Sequence, residues 1–189
     1  MRLRYIDLLK RLKFSCFSSS SLRWYPGVVD VAKANVGQLI SALSYGPAPP
    51  EPHHPDLFWY GIHPTEALFT VMGSGCQTVT RTSTDDTVVV TGVWKDGKVG
   101  TLHGLAKGRF GYKVTAFGTE AIAEQNRGGD YTPMLQEIIK FFKTGKPPVS
   151  SETTLEIYAF MEAADESKRR GGVPVKISEV LKRAGFDTD

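Results

Sequence analysis

A histidine stands where a helix is expected to begin, within the segment Phe58–Glu66, whose sequence is Phe-Trp-Tyr-Gly-Ile-His-Pro-Thr-Glu. Pro64 suits the start of a helix because its missing N–H would have no partner there, and Glu66 could reach the free amides of the first turn. The positive end of a helix dipole disfavours an imidazolium, so we expect His63 to be neutral. A neutral, positioned imidazole is what a general base requires, although the same residue could simply hydrogen-bond at a helix start.

Metal binding is a second candidate chemistry for this region. His53, His54, Asp56 and His63 lie close together in the sequence, so metal-dependent hydrolysis is one hypothesis. Their spacings match no common zinc pattern, and Pro55 stiffens the segment between two of them. We therefore rank a metal site below a base role for His63.

Two glycine-containing segments look like nucleotide-binding loops but have the wrong context. The segment 92–99 lacks the final Ser or Thr of a phosphate-binding loop and is predicted to form a hairpin instead of opening a helix. Gly73-Ser74-Gly75 follows a predicted helix and leads into a strand, which is the reverse of a dinucleotide-binding turn, and predicts a helix C-cap. The sequence contains neither a nucleotide-binding fingerprint nor a Gly-x-Ser-x-Gly motif for a nucleophilic serine.

The composition is that of an ordinary globular protein, with 41% apolar and 23% charged residues. The net charge of +3 is spread along the chain without an aromatic platform, which argues against a nucleic-acid partner. No apolar stretch approaches the ~18 residues that span a bilayer, so we expect no membrane partner. Cys16 and Cys76 show no metal-type spacing and are expected to be free thiols, which favours a cytoplasmic location.

The elements that must position the histidine are predicted from apolar periodicity and turn residues. Helices are expected at 1–12, 26–36, from His63 onward, 133–143 and 152–169, and strands at 14–19, 38–45, 77–82, 86–91, 98–103, 112–117 and 120–125. A proline-rich loop at 46–55 leads to the histidine, and Asp96-Gly97 predicts a two-residue hairpin. Because the strands from 77 to 125 follow one another with short turns, an antiparallel run is expected. The fold class is therefore α+β, an open, mainly antiparallel sheet with helices on one face.

Four segments, in chain order, resemble the C-terminal half of Gfo/Idh/MocA-type oxidoreductases, the family of glucose–fructose oxidoreductase and inositol dehydrogenase. Residues 18–23 resemble the strand that enters the second domain, 61–68 the Gly-Ile-His segment of the catalytic helix, 112–119 a late strand with its glycine turn, and 147–156 the start of the closing helix. The resemblance implies that residues 1–17 are the end of a Rossmann-type domain, a helix and a strand. Residues 18–189 would then be a substrate-binding and oligomerisation domain.

The resemblance also implies a reaction and a set of site residues. In this family a Rossmann domain holds NAD or NADP, and the second domain presents a substrate to it over an open sheet. His63 would take a hydroxyl proton as hydride leaves for the nicotinamide, and Arg23, Trp59, Tyr60 and Glu66 would contact a sugar- or cyclitol-like substrate. A homo-oligomer is expected through the sheet face formed by residues 87–117, because no helix is expected to cover it.

Two departures from the family pattern limit what the resemblance implies. Trp59 stands four residues before His63, where the family often has an acidic residue that could orient the imidazole. The sequence has no counterpart of the family's Glu-Lys-Pro element or of its Gly-x-Gly-x-x-Gly turn. We therefore expect a chain truncated before or within the Rossmann domain, without dehydrogenase activity by itself. The alternative is a non-catalytic ligand- or protein-binding module on the same sheet, in which His63 only caps a helix.

Overall fold

The computed structural model describes residues 15–186 of the chain, so the helix predicted at 1–12 lies outside the described residues. Five α-helices lie within this range: α1 Pro26–Lys33, α2 Ile62–Met72, α3 Thr132–Thr144, α4 Ser151–Arg169 and α5 Ile177–Arg183. Two short 3₁₀ helices, Ser21–Trp24 and Asp56–Phe58, lie before α1 and α2. None of the helices between residues 15 and 186 has the length and hydropathy that a membrane span requires. The predicted domain boundary after residue 17 stays a prediction.

Seven strands form one open mixed sheet, in the order β6-β5-β1-β4-β3-β2-β7. The strands are β1 Leu39–Pro47, β2 Cys76–Ser83, β3 Thr87–Trp94, β4 Val99–Leu105, β5 Lys113–Gly118, β6 Ile122–Glu124 and β7 Val175–Lys176. All pairs are antiparallel except β1 with β4. The antiparallel run predicted for residues 77–125 is therefore wrong at one place. β4 and β5 are not neighbours, because β1 lies between them. A parallel neighbour needs a long connection, and the chain from β1 to β4 provides it through α2 and two further strands.

The helices α1, α2 and α4 pack on one face of the sheet, as the α+β prediction requires. Buried and more exposed residues alternate along the central strands, and the buried positions of β3 and β4 include Val90 and Leu102. Phe69 of α2 contacts both Trp94 and Phe160 of α4, with ring centroids 5.4 Å apart in each pair. Burying these apolar side chains between helices and sheet supplies the main stabilisation of the fold. It also fixes the position of α2 and its first turn.

The opposite face of the sheet is covered by none of the helices that the structure describes. Its residues are the alternate set along each strand, and on β3 and β4 these are mostly threonine and valine. Val93 and Val99 pair across the two strands and are 41% and 36% exposed. The expected uncovered face is therefore present in the described chain.

Capping residues set two helix boundaries, and the cap at Gly73 confirms the C-cap predicted for Gly73-Ser74-Gly75. Ser150 is the N-cap of α4, and its hydroxyl accepts a hydrogen bond of 3.1 Å from the N–H of Thr153. Gly73 ends α2 with a positive φ of 69°. The turn at Asp96-Gly97 is longer than the two residues predicted, because β3 ends at Trp94 and β4 begins at Val99. Gly97 there adopts a φ of 84° and donates its N–H to the carbonyl of Trp94.

The prediction of a strand at 14–19 is wrong for the part that the structure describes. Residues 15–20 form no regular secondary structure, and the segment 18–23, which resembles an entering strand, runs instead into the 3₁₀ helix at Ser21–Trp24. The physical cause is local: the Ser20 hydroxyl accepts the N–H of Leu22 and starts this helix. The strand β7 and helix α5 were not predicted.

Candidate functional site

His63 is the second residue of α2, and its N–H donates a hydrogen bond of 3.1 Å to the carbonyl of Tyr60. The chain turns sharply before it, and a Cβ on Gly61 would lie 2.8 Å from the carbonyl oxygen of Leu57, so only glycine fits there. Burial lowers the pKa of the His63 imidazole below its ordinary value. Burial therefore favours the neutral form of the ring, the form that the sequence analysis expects.

Ser20 holds the His63 ring from the protein side. Its Oγ lies 2.9 Å from Nδ1 of His63, and the same oxygen accepts the N–H of Leu22 at 3.1 Å. Ser20 is only 5% exposed, so this contact is shielded from water. The Ser20 hydroxyl therefore orients the imidazole of His63, a role that an acidic residue could play in the family pattern. Trp59, at the position of the family's acidic residue, instead stacks on His54 with ring centroids 4.8 Å apart.

Arg23 and Glu66 form a buried ion pair next to this histidine. Nε of Arg23 donates to Oε2 of Glu66 at 2.7 Å, and Nη2 lies 2.6 Å from the same oxygen without the alignment of a hydrogen bond. Glu66 is 2% exposed; burial raises the pKa of its carboxyl, and Arg23 opposes this shift. The expectation that Glu66 caps the first turn of its own helix is wrong, because α2 has no side-chain cap and Arg23 takes the carboxylate. The predicted substrate contacts of both residues stay predictions.

Two tyrosine rings stand beside the imidazole. The Tyr60 ring lies edge-to-face at a centroid distance of 5.6 Å, and the Tyr112 ring does so at 6.2 Å. Burial raises the pKa of Tyr112 to about 12, with a further contribution from the nearby phenols of Tyr60, Tyr25 and Tyr131. Tyr112 fits against the backbone of β1 because residue 46 is glycine, where a Cβ would lie 2.6 Å from its ring. The wall around His63 is therefore aromatic, with phenol hydroxyls close to one another.

A partly buried charge network holds the segment that leads to the site. Arg81 of β2 donates at 2.8 Å both to Asp165 of α4 and to Asp56 of the loop, and Lys168 donates to Asp56 at 2.9 Å. Burial acts to raise the pKa of Asp56, but Lys168 and Arg81 together lower it. Burial also raises the pKa of Asp165 to about 7, because the Asp56 carboxylate adds to desolvation and Arg81 offsets only part of it.

The metal hypothesis gains no support from this geometry. Asp56 is engaged by two cationic side chains, and the rings of His54 and Trp59 are stacked. Between residues 15 and 186, no group of three or more His, Cys, Asp or Glu side chains is arranged to hold a metal ion.

The structure thus gathers the predicted residues His63, Arg23, Glu66, Trp59 and Tyr60 around the first turn of α2 and the 3₁₀ helix at Ser21–Trp24. Sequence reasoning missed Ser20 and Tyr112 as members of the site. Ser20 is separated from His63 by 43 residues, so no local pattern reports the contact. Its only signal is that a serine is a preferred N-cap residue.

No protein-family model matches the sequence, and no curated protein is significantly similar to it. Solved structures share its fold. A candidate myo-inositol dehydrogenase from Sinorhizobium meliloti 1021 is 14% identical with a TM-score of 0.77, over 93% of this chain and 70% of that one. The myo-inositol dehydrogenase from Lactobacillus casei, in complex with NAD(H) and myo-inositol, is 13% identical with a TM-score of 0.73, over 92% of this chain and 65% of that one. An oxidoreductase from Agrobacterium radiobacter, in complex with NAD+, L-tartaric acid and magnesium, is 14% identical with a TM-score of 0.74, over 95% of this chain and 71% of that one.

At these identities the likeness shows a shared fold. The resemblance to Gfo/Idh/MocA-type oxidoreductases is thereby confirmed for the fold. The chain spans 65% of the Lactobacillus casei enzyme and 70–71% of the other two structures. It therefore corresponds to a part of each of these proteins, and the activity of the whole proteins does not pass directly to it.

Proposed function

We propose that this chain is the substrate-binding and assembly domain of a Gfo/Idh/MocA-type oxidoreductase. The reaction would transfer hydride between a nicotinamide cofactor and a sugar- or cyclitol-like hydroxyl. The observation that carries the proposal is the half-buried imidazole of His63, which Ser20 holds at the start of α2 and whose pKa is lowered by burial. The shared fold with inositol dehydrogenases supports the substrate class.

His63 is the group proposed to exchange a proton with the substrate oxygen. With Nδ1 facing Ser20, the remaining nitrogen Nε2 is the one available to a ligand. A neutral imidazole can receive a hydroxyl proton only when Nε2 carries none, so the partner of Nδ1 controls this step. If the chain is instead a non-catalytic module, its function does not depend on which nitrogen of His63 carries the proton.

The aromatic residues are proposed to bind the ring of the substrate. Trp59 and Tyr60 are exposed, and the rings of Tyr60 and Tyr112 both lie edge-to-face with His63. Aromatic faces pack against the C–H groups of a sugar or cyclitol ring while phenol groups hydrogen-bond its hydroxyls. Arg23 and Glu66 are proposed as further contacts, and their charges compensate each other. This pairing favours an uncharged polyol over an anionic ligand.

The sequence offers no residues that fit the nicotinamide cofactor. NAD or NADP would accept the hydride when bound, but no Gly-x-Gly-x-x-Gly turn between a strand and a helix is present in the 189 residues. Gly73-Ser74-Gly75 connects α2 to β2 and so runs in the wrong order. We therefore assign no residue of this chain to the cofactor and propose that the chain alone is inactive.

Assembly and location complete the proposal. A homo-oligomer would form through the uncovered face of β3 and β4, where apolar and threonine side chains lie exposed. Cys16 and Cys76 are both free thiols in the structure. Free thiols are typical of a reducing compartment, which favours the cytoplasm.

Calorimetric titration of the purified chain tests the proposal. Myo-inositol should bind saturably, and NAD+ should not bind. His63→Ala should weaken polyol binding about twofold to twelvefold, because it removes one hydrogen bond of about 0.5–1.5 kcal/mol. Gln136→Ala, on the exposed side of α3, is the matched control and should leave the affinity unchanged.

Two results would contradict the proposal. Tight, saturable binding of NAD+ would show that the chain itself holds the cofactor. Equal polyol affinity of the wild type and His63→Ala would favour the non-catalytic module.

A further inference from the structure

The Ser20 hydroxyl has one hydrogen to donate and must satisfy two neighbours. The N–H of Leu22 is only a donor, so it occupies a lone pair of Oγ. The second neighbour is Nδ1 of His63, which can either accept or donate depending on the tautomer. Among the residues that the structure describes, these are the two hydrogen-bond partners of Oγ.

The two neutral tautomers of His63 differ in how completely they satisfy the hydrogen bonds of the Ser20 hydroxyl. If Nδ1 accepts, the Ser20 hydrogen is used and both bonds to Oγ are complete. If Nδ1–H donates, the Ser20 hydrogen needs another acceptor at a residue that is 5% exposed. A buried hydroxyl hydrogen without an acceptor is unfavourable, so the first arrangement has the lower free energy.

We propose that Ser20 is a positioning residue that holds His63 as the Nε2–H tautomer in the ligand-free chain. His63 then meets a ligand oxygen as a hydrogen-bond donor. A carboxylate in this place would only accept, and would hold the opposite tautomer with Nδ1 protonated. The hydroxyl is therefore not an equivalent replacement for the acidic residue that Trp59 displaces.

The consequence for the reaction rests on the proposed function, whereas the tautomer is a property of the chain alone. A neutral imidazole with Nε2–H can polarise a carbonyl oxygen, so the resting site matches the carbonyl form of the substrate. To receive a proton from a substrate hydroxyl, the ring must first release its Nε2 proton to water and take up a proton at Nδ1, while the Ser20 hydroxyl turns to accept a hydrogen bond from Nδ1–H. Because Ser20 can both donate and accept, it permits this change.

The tautomer is measured directly by long-range ¹H–¹⁵N NMR of the histidine rings in the ligand-free chain at pH 8. In the wild type, Nδ1 of His63 should resonate as an unprotonated nitrogen and Nε2 as a protonated one. Ser20→Ala should give two nitrogen shifts that average between these positions, because the donor to Nδ1 is lost. Ser20→Thr keeps a hydroxyl and should restore the wild-type pattern.

Ser19→Ala is the control, since the Ser19 hydroxyl accepts from Trp24 and donates to the backbone carbonyl of Ser20, so its loss leaves the Ser20 hydroxyl in place. It should leave the His63 nitrogens unchanged. A protonated Nδ1 in the wild type would overturn the inference, and so would an unaltered pattern in folded Ser20→Ala. If Ser20→Ala fails to fold, the wild-type spectrum alone still decides. No ligand is added, so failure of the proposed function leaves this result unaffected.

Discussion

At the scale of single residues, the site depends on an imidazole whose inner nitrogen has a neutral partner. A carboxylate next to His63 would stabilise the imidazolium and raise the pKa, but Ser20 carries no charge to do so. Burial is then the dominant influence, and it lowers the pKa of His63. The ion pair of Arg23 with Glu66 lies nearby but is internally compensated. The result is a weakly basic, neutral group in an aromatic setting.

The first prediction concerns the protonation of His63. NMR titration of the folded chain should give His63 a pKa below its ordinary value of 6.5. Its imidazole binds fewer protons in the folded than in the unfolded chain, so it reduces stability as pH falls below about 6.5. Compared with the wild type, His63→Ala should therefore lose less stability on acidification through this window, as measured by urea unfolding. A His63 pKa above 6.5 would show that a nearby negative charge, and not burial, governs the pKa of the ring.

At the scale of elements, charged side chains tie the segment before α2 to the rest of the fold. Asp56 lies at the end of the proline-rich segment and is tied through Arg81 to β2 and through Lys168 to α4. Removing Arg81 would leave the buried Asp165 without its ion-pair partner, whereas Asp56 would keep Lys168. Losing one partner of a buried ion pair typically costs about 3–5 kcal/mol. The loop position, and with it Trp59 and Tyr60, therefore depends on residues far away in sequence.

The second prediction concerns the titration of this network. Asp165 has a pKa of about 7 in the folded chain, against an ordinary value of 3.8. Between about pH 4 and pH 7 the folded state holds a proton that the unfolded state has released, so stability falls as pH rises through this window. Asp165→Asn should remove this fall, so its free energy of unfolding should decline less than that of the wild type between pH 4 and pH 7.

Urea unfolding at several pH values compares the two proteins. Asp30→Asn makes the same charge change in an exposed ion pair with Arg127 and serves as the control. Wild type and Asp165→Asn with parallel pH profiles would contradict the assignment of a raised pKa to this carboxyl.

Sequence patterns were sufficient for most elements but not for their order in the sheet. Apolar periodicity and capping residues place α2, α4 and the strands β2 to β5 within a few residues, because these are local properties. The insertion of β1 between β4 and β5 is decided by packing between distant segments. The start of α2 with His63 was recognisable for the same local reason. The bond from Ser20 to His63 was not, because it joins residues 43 positions apart.

At the scale of the whole molecule, the uncovered sheet face distinguishes this fold from a two-sided α/β layer. A stable homo-oligomeric interface buries about 1,200–2,000 Å² of total surface, and a face of several strands can supply this area. The paired Val93 and Val99 lie on that face and are exposed in the single chain. The homo-oligomer proposed above would bury both side chains in its interface.

The third prediction follows for the assembly. Light scattering of the purified chain should give a multiple of 20.8 kDa, and Val93→Lys should reduce it to the mass of one chain. A lysine there would place like charges opposite each other across a symmetric interface. Gln136→Lys, on α3 and away from the sheet, should leave the assembly intact. A wild type that stays at 20.8 kDa at tens of micromolar would argue against this interface.

The most direct test of the account is a crystal structure of the chain with myo-inositol. We predict that the ring lies between Tyr60 and Tyr112, with one of its oxygens within hydrogen-bond distance of Nε2 of His63. Such a complex would establish the first turn of α2 as the substrate site. A ligand bound elsewhere, with Nε2 of His63 turned to a protein group, would contradict the proposed function.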